Sequence, residues 1–246
     1  MNLSSFSDGS SPLHRRDPRV KVVVAACFAV VVALMQAIPS LLAGLALSLV
    51  WCVWGRLPAA MVLRRLLLVN GFVAMLWLFL PFTHPGPAVF VLGPLAASQD
   101  GLLYAAALTL RTNAIVLGTM ALLGTTSVFN LVHALHHLRV PGKLAQVAFF
   151  SFRYVDVIQR EYWRLRSAMR IRCFQPRTTL HTYVSYAYLV GMLLVRSFER
   201  SQRVYQAMLC RGYRGELPVY QHFALNQADL LFGGSMLIAI LALGAL

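Results

Sequence analysis

The sequence predicts an all-α polytopic membrane protein with about five transmembrane helices and two long amphipathic helices outside the bilayer. Hydrophobic residues make up 59% of the 246 residues and charged residues only 12%, whereas soluble globular domains contain roughly 45–50% and about 25%. So few charged side chains cannot cover a water-facing surface, and so apolar a chain cannot stay disordered. Long uncharged runs and two segments with helical periodicity supply the remaining evidence.

The first uncharged run predicts two transmembrane helices. Residues 22–55 contain no charged side chain over 34 residues, and one crossing of a bilayer needs about 20 residues. The run is therefore long enough for two helices, over about 20–38 and 40–55. We place the break at Ile38-Pro39-Ser40, because proline disfavours continuation of a helix.

Three further apolar runs complete the predicted membrane part, with a basic turn at Arg56, Arg64 and Arg65 before the first of them. These runs are Leu66–Phe82, Gly101–Gly124 and Leu230–Leu246. The chain then divides into an N-terminal tail (1–21), transmembrane helices 1 to 4 (22–125), a segment of two cytosolic helices (126–218) and transmembrane helix 5 (226–246).

The distribution of Lys and Arg predicts the orientation in the membrane. The tail (1–21), the turn (56–65) and the block 139–216 are basic, whereas the loops 38–40 and 83–100 contain no Lys or Arg. Cytoplasmic loops carry the excess of positive charge. We therefore expect a cytoplasmic N-terminus and an outward C-terminus, with five spans. A sixth span over the short apolar run 184–195 stays an alternative.

The basic block predicts two long amphipathic helices. Residues 139–216 contain 14 Arg and Lys against 4 Asp and Glu, so they hold +10 of the net +14. In the first helix, apolar residues recur at helical spacing and Phe174-Gln175-Pro176 marks the end; they are Ala148, Phe152, Val155, Ile158, Tyr162, Leu165 and Met169. The second helix covers about 182–209 with Val184, Tyr188, Gly191, Val195, Phe198, Tyr205 and Leu209 on one side.

Each of these helices ends with an arginine beside its stop signal, Arg172 in the first and Arg211 in the second. The planar guanidinium binds a carboxylate through two hydrogen bonds, so such a position suits an acidic partner protein. Glu161 and Glu199 are expected to pair with neighbouring Arg side chains. In the alternative interpretation, both basic helices lie on anionic lipid.

In these segments the chain resembles the transmembrane (T) component of energy-coupling factor transporters, of the kind found in cobalt uptake systems. The resemblance runs from residue 12 to 215. Its pieces are Leu13-His14-Arg15-Arg16-Asp17-Pro18-Arg19-Val20-Lys21, Arg111, Leu138-Arg139-Val140-Pro141, Arg153-Tyr154, Glu161, Phe198-Glu199-Arg200-Ser201 and Ala207-Met208-Leu209-Cys210-Arg211-Gly212-Tyr213-Arg214-Gly215.

The resemblance implies two coupling helices that cross and that each end in a short motif, usually Ala-Arg-Gly or Ala-Arg-Ser, which inserts into a groove of one ATPase subunit. Here the motifs read Ile171-Arg172-Cys173 and Cys210-Arg211-Gly212, with the central arginine kept twice. The implied supporting residues are Arg170, Arg153, Glu161, Glu199, Arg200 and Arg111. The implied partners are a pair of P-loop ATPase subunits and a small membrane component that binds the substrate, in the inner membrane of a bacterial cell.

Other chemistries have weaker support in the sequence. Gly142-Lys143 lacks the upstream glycine of a phosphate-binding loop, and the eight acidic residues are scattered. We therefore expect this chain to have no enzymatic activity and no cofactor. ATP hydrolysis is expected in a partner chain. A nucleic-acid-binding fold is not indicated. The four Cys form no Cys-x-x-Cys pair, and we expect reduced thiols.

Two polar features inside apolar segments need their own interpretation. Arg111 is costly within a membrane helix, and we expect Asn70 and Asn113 to help satisfy it. A stand-alone ion-coupled secondary transporter would need ionisable groups at the midplane, for which Arg111 alone qualifies. His133, His136 and His137 have helical spacing that suits metal ligation, but no acidic or Cys ligand accompanies them, so we expect no metal site.

Overall fold

A computed structural model describes residues 11, 13–14, 16–83, 87–92, 95–137, 140–215 and 227–244. Arg15, Leu138-Arg139, most of the tail and the end of the basic block at Glu216 lie outside the described residues. Within them the chain forms the helices α1 (Pro18–Leu34), α2 (Ile38–Trp54), α3 (Ala59–Thr83), α4 (Gln99–Leu122), α5 (Val128–His137), α6 (Gly142–Ile171), α7 (Leu180–Cys210) and α8 (Gln227–Gly244). The helical fold class is confirmed.

The described chain forms two compact units. The membrane unit contains α1 to α5 and α8, and the helix-pair unit contains α6 and α7. The predicted segment 126–218 had grouped α5 with the two long helices. Instead α5 packs against α1, because its Val132 and Ala134 side chains are buried there rather than exposed.

The first helix begins and ends at positions set by its flanking residues. Asp17 is the N-cap of α1, and its carboxylate accepts a 2.8 Å hydrogen bond from the backbone N–H of Arg19. Residues 18–21 are therefore the first turn of a helix and not tail. The break to α2 lies at residues 35–37, ahead of the predicted one, because Pro39 belongs to the first turn of α2, where proline is tolerated.

The third helix begins seven residues before its predicted start. Pro58 precedes it, and Arg64 and Arg65 lie within α3 rather than in a turn, because arginine is a good helix former. Most large apolar side chains of α3 are exposed in the isolated chain, Leu68 by 78%. Such a surface is normal against lipid and costly in water.

A short hairpin lies between α3 and α4, in the predicted loop 83–100. Strand β1 (Ala88–Leu92) pairs antiparallel with β2 (Leu95–Ser98), with Ala88 opposite Ser98. Ser98 then caps α4, because its hydroxyl accepts a 3.0 Å hydrogen bond from the N–H of Gly101. The hairpin adds a small β element that the sequence analysis did not predict.

The core of the membrane unit is built around α4, which packs against α1, α2 and α3. The ring of Phe28 in α1 packs at a tilt against the ring of Trp51 in α2, with 4.9 Å between the ring centroids. Gly118 of α4 lies directly beneath Phe28, and a β-carbon there would lie 2.5 Å from the phenyl Cε1. A small residue thus permits the close helix approach that membrane bundles depend on.

Three helices are long and apolar enough to cross a membrane by length and composition, within the part of the chain that the structure describes. They are α3, α4 and α8. The apolar helix α2 is shorter at 17 residues, the same length as α1. This length is at the lower end of the roughly 17–25 residues of transmembrane helices.

Candidate functional site

The two helices of the helix-pair unit run antiparallel. Near the start of α6, Gln146 accepts a 3.1 Å hydrogen bond from the Tyr213 hydroxyl and donates a 2.8 Å hydrogen bond to the Gly215 carbonyl. At the opposite end, the ring of Phe174, just past α6, lies 5.9 Å from the ring of Tyr186 in α7. The C-terminal end of each helix therefore lies beside the N-terminal part of the other.

The end of α6 is closed by a Schellman motif centred on an arginine. Arg172 is the C-cap residue. The N–H of Cys173 donates to the Arg170 carbonyl at 3.0 Å, and the N–H of Phe174 donates to the Met169 carbonyl at 3.1 Å. These two bonds satisfy carbonyls that the end of a helix leaves without partners.

The end of α7 repeats this motif bond for bond. Arg211 is the C-cap residue, the N–H of Gly212 donates to the Leu209 carbonyl at 3.0 Å, and the N–H of Tyr213 donates to the Met208 carbonyl at 3.0 Å. Arg172 and Arg211 therefore end two different helices with the same backbone geometry.

The matching caps reveal an internal repeat that the sequence analysis did not identify. Residues 169–174 read Met-Arg-Ile-Arg-Cys-Phe and residues 208–213 read Met-Leu-Cys-Arg-Gly-Tyr. The shared positions are a methionine, an arginine three residues later and an aromatic residue two beyond that. In a Schellman motif the first and last of these often make a hydrophobic contact. The signal for this repeat was present in the sequence, as the spacing of these three residues at the C-terminal end of each helix.

The residue after each arginine adopts the left-handed conformation, with φ of 61° at Cys173 and 79° at Gly212. A β-carbon in this conformation costs roughly 1–2 kcal/mol. We expect Cys173→Gly to stabilise the α6 cap by about 1 kcal/mol and to slow exchange of the Phe174 amide hydrogen about fivefold. Hydrogen-exchange mass spectrometry measures this. The matched variant Gly212→Cys is expected to speed exchange at Tyr213, and equal rates in all three proteins would contradict the assignment.

Both arginines are open to a partner. Arg172 and Arg211 are exposed, and neither forms an ion pair within the described residues. Their neighbours Cys173 and Cys210 are also exposed, and the apolar side chain of Ile171 is 83% exposed. Each helix end thus presents an unpaired planar cation beside apolar or small side chains, which suits a groove containing a carboxylate.

A buried carboxylate lies where α6 faces α7. The Glu161 side chain, 11% exposed, accepts a 3.3 Å hydrogen bond from Arg164 on its own helix and another from Arg196 of α7. The Arg196 hydrogen bond holds the pKa of Glu161 below its usual 4.5, against the opposing effect of burial, and the charges of Arg164, Arg196 and Arg200 lower this pKa further. The contact is therefore complete at neutral pH and is lost only as pH falls below 4.5 through the lowered pKa.

The apolar stripe of α7 is exposed along its length, and the stripe of α6 is exposed at three of its seven residues. Phe152 and Val155 of the first stripe are 41% and 42% exposed, and Tyr188 and Phe198 of the second are 73% and 65% exposed. The cleft between the helices includes Ile158 of the first stripe but is lined by a mixed set, Tyr154, Val157, Ile158, Glu161, Arg196, Ser197, Arg200 and Ser201. Most of the stripe surface is thus left open in the isolated chain.

The other predicted supporting residues of this unit have separate places. Arg200 lines the cleft beside the buried carboxylate. Glu199 pairs with Arg203 at 3.9 Å on the exposed face of α7, as expected for a neighbouring Arg. Arg170 lies in the last turn of α6 and, like Arg153, is exposed. The structure therefore brings Arg200 to the interhelical contact and leaves Arg153 away from it.

Arg111 belongs to the membrane unit and has a structural partner there. Its guanidinium donates a hydrogen bond to the carbonyl of Met35, the C-cap residue of α1. The prediction that Asn70 and Asn113 would satisfy Arg111 is wrong, because these two amides bond to each other at 3.0 Å. The end of α1 leaves a carbonyl without an intrahelical partner, and a guanidinium supplies the donor.

Lys21 is a polar centre that the sequence analysis treated as part of the tail. Its side chain is fully buried, and the ammonium donates to the hydroxyls of Thr126 at 3.0 Å and Thr125 at 3.3 Å. The carboxylates of Asp17 and Asp229 attract the same ammonium. The available signal was a lysine one helical turn after a capping Asp-Pro and directly before a long apolar run.

The three histidines considered for metal ligation belong to one helix. His133, His136 and His137 lie in α5. Across the described residues, no group of three or more His, Cys, Asp or Glu side chains is placed to hold a metal ion.

Comparison with known proteins gives consistent matches over most of the chain. A family model described as cobalt transport protein, CbiQ, matches residues 9–221. The energy-coupling factor transporter transmembrane protein EcfT of Heliobacterium modesticaldum is 29% identical over 233 residues, which cover 87% of this chain and 85% of that protein. The EcfT of Bacillus subtilis is 25% identical over 228 residues, with 87% and 85% covered. The cobalt transport protein CbiQ of Rhodobacter capsulatus is 29% identical over 144 residues, with 57% and 59% covered.

Proposed function

Because this chain belongs to the CbiQ family of cobalt transport proteins, we propose that it is the coupling subunit of an ATP-driven energy-coupling factor importer. In this role it transmits closure of an ATPase pair to a small membrane partner that binds the substrate. The chain itself catalyses no reaction, and ATP hydrolysis takes place in the partner subunits. It acts in the inner membrane of a bacterial cell.

The observation that carries this proposal is the pair of matching arginine caps. Arg172 and Arg211 end two antiparallel helices with the same backbone geometry, so two equivalent acidic grooves can bind them in the same way. An ATPase pair offers two such grooves. Since the two helix ends lie far apart, each ATPase subunit contacts one arginine.

The exposed apolar stripes of α6 and α7 support a second contact, with the substrate-binding membrane partner. A surface that holds Tyr188 and Phe198 largely exposed is expected to be covered in the assembled complex. Movement of the helix ends on ATP binding would then shift the stripes against that partner. Binding energy, and not chemistry in this chain, drives the change between states.

We place α1 to α4 and α8 across the bilayer, with the N-terminus in the cytoplasm. The basic residues Arg56, Arg64 and Arg65 then lie on the cytoplasmic side of the membrane, in agreement with the excess of Lys and Arg in cytoplasmic loops. The hairpin between α3 and α4 lies on the outer side. The C-terminal end of α8 also faces outward.

We assign cobalt or a related transition-metal ion as the imported substrate, following the names of the family and of the Rhodobacter capsulatus relative. The rival function is a stand-alone ion-coupled secondary transporter. It has less support, because Arg111 is engaged with the Met35 carbonyl and because it leaves the paired arginine caps without a purpose.

The test is purification of the tagged chain from its native membranes, with its partners identified by mass, followed by uptake of Co²⁺ into proteoliposomes. We expect a P-loop ATPase and a small membrane protein to copurify, and uptake to require ATP and all components. Uptake of Co²⁺ by this chain alone, driven by a proton or sodium gradient, would overturn the proposal in favour of the secondary transporter.

A further inference from the structure

Glu161 is the one negative group among several positive groups at the contact between α6 and α7. The guanidinium groups of Arg164 and Arg196 both donate to its carboxylate, and Arg200 is close enough to act on its charge. Arg196 and Arg200 belong to α7, so the carboxylate joins the two helices across 35 residues of sequence. Without it, three positive charges would repel one another across the same contact.

Other hydrogen bonds and ring contacts between the two helices of this pair lie near the helix ends. Gln146 bonds to residues just past α7, and Phe174 packs on Tyr186 at the other end. Between these ends, a mixed set of side chains that includes Ile158 of the first stripe lines the cleft between the helices. The ion pair of Glu161 with Arg196 is therefore the polar connection in the middle of the pair.

Because the ion pair lies in the middle of the helix pair, a change of the interhelical angle there moves both helix ends. Glu161 precedes Arg172 by 11 residues, and Arg196 precedes Arg211 by 15; at 1.5 Å per residue these distances are about 16 Å and about 22 Å. Because the helices are antiparallel, the two arginines lie on opposite sides of the contact. A rotation of about 10° there would move each helix end by roughly 3–4 Å, enough to misalign a bound helix end within its groove.

We propose that Glu161 is a positioning residue that fixes the angle and register between α6 and α7 and so sets the separation of Arg172 and Arg211 for the ATPase pair. The inference rests on the proposed function for its consequence in transport. The structural part of the inference is that the separation of Arg172 and Arg211 depends on the Glu161 carboxylate. This part holds whatever the function of the protein.

The native cysteines allow a direct measurement of this separation. Cys173 and Cys210 are exposed and each adjoins one of the two arginines, whereas Cys52 is buried and Cys27 is half-buried. Spin labels on Cys173 and Cys210, in the full chain with Cys27→Ala and Cys52→Ala, report the distance by pulsed electron paramagnetic resonance. We expect one narrow distribution, centred at up to about 40 Å for an antiparallel pair.

The deciding variant is Glu161→Gln, which keeps the shape of the side chain and removes its charge. We expect the distance distribution to broaden or shift, and the charge exchange Glu161→Arg with Arg196→Glu to restore it. The matched control is Glu199→Gln, which removes the exposed partner of Arg203 on α7 and should leave the distribution unchanged. A narrow, unshifted distribution in Glu161→Gln would overturn the inference.

Uptake measurements separate this inference from the proposed function. In the assembled transporter we expect Glu161→Gln to keep its ATPase subunits and to lose about 2- to 30-fold in ATP-driven uptake, the range found for residues that carry coupling. If Glu161→Gln is not recovered from membranes, the charge exchange decides: a wild-type distribution supports the inference and a broad one overturns it. Failure of the proposed function would appear instead as ATPase binding that does not depend on Arg172 and Arg211.

Discussion

Reversing the charge at both helix ends, with Arg172→Glu and Arg211→Glu in one protein, abolishes copurification of the ATPase subunits and abolishes uptake, while the chain stays in the membrane. Both side chains are exposed and unpaired within the described residues, so their replacement removes no ion pair from this chain. The expected effect is therefore a loss of binding to the ATPase subunits and not a loss of stability of this chain. A glutamate placed against an acidic groove costs about 2–5 kcal/mol at each contact, so the pair weakens binding by roughly 1000-fold or more.

The matched control reverses the same amount of charge away from the helix ends. Arg160→Glu with Arg203→Glu changes one exposed arginine on α6 and one on α7, and it lowers the net charge equally. We expect near-normal copurification from this control. Equal loss in both proteins would mean that general positive charge, such as attraction to anionic lipid, holds the partners, and full retention in the helix-end variant would exclude the coupling role of the two arginines.

Removing the buried ammonium, with Lys21→Met, destabilises the membrane unit by about 2–4 kcal/mol. Lys21 is fully buried and donates to the hydroxyls of Thr125 and Thr126, and these hydroxyls donate in turn to carbonyls at the end of α4. Without the ammonium, the nearby carboxylates of Asp17 and Asp229 lose a buried counter-charge. Methionine fills a similar volume, so the effect comes from charge and not from a cavity.

The sequence provides a matched control for this experiment in its other lysine. Lys143 lies in the first turn of α6 and is exposed, so Lys143→Met removes the same group from water. Thermal unfolding in detergent should show a lower midpoint for Lys21→Met and an unchanged midpoint for Lys143→Met. An unchanged midpoint in both proteins would show that the Lys21 contacts add nothing to stability.

The limits of sequence reasoning appear in individual residues. The helical periodicity of 142–171 and 180–210 was enough to predict both long helices, and the arginine at the end of each was evident from its neighbouring stop signals. Asp-Pro at 17–18 was also a local signal for a helix start, although the sequence analysis placed this helix from about residue 20. Lys21 lies only four residues beyond Asp17, yet its burial depends on Thr125 and Thr126, which lie more than 100 residues away.

The sequence by itself determined the class of this protein and the position of its two arginine-ended helices, because composition, periodicity and helix caps are properties of short stretches of chain. The tertiary structure alone decided which helix faces meet. It left the apolar stripe of α7 exposed, put Glu161 against Arg196 and gave Arg111 the carbonyl of Met35. These pairings join residues that are 35 and 76 positions apart, and hydrogen bonding of a buried polar group depends on what the fold places beside it, which local sequence does not specify.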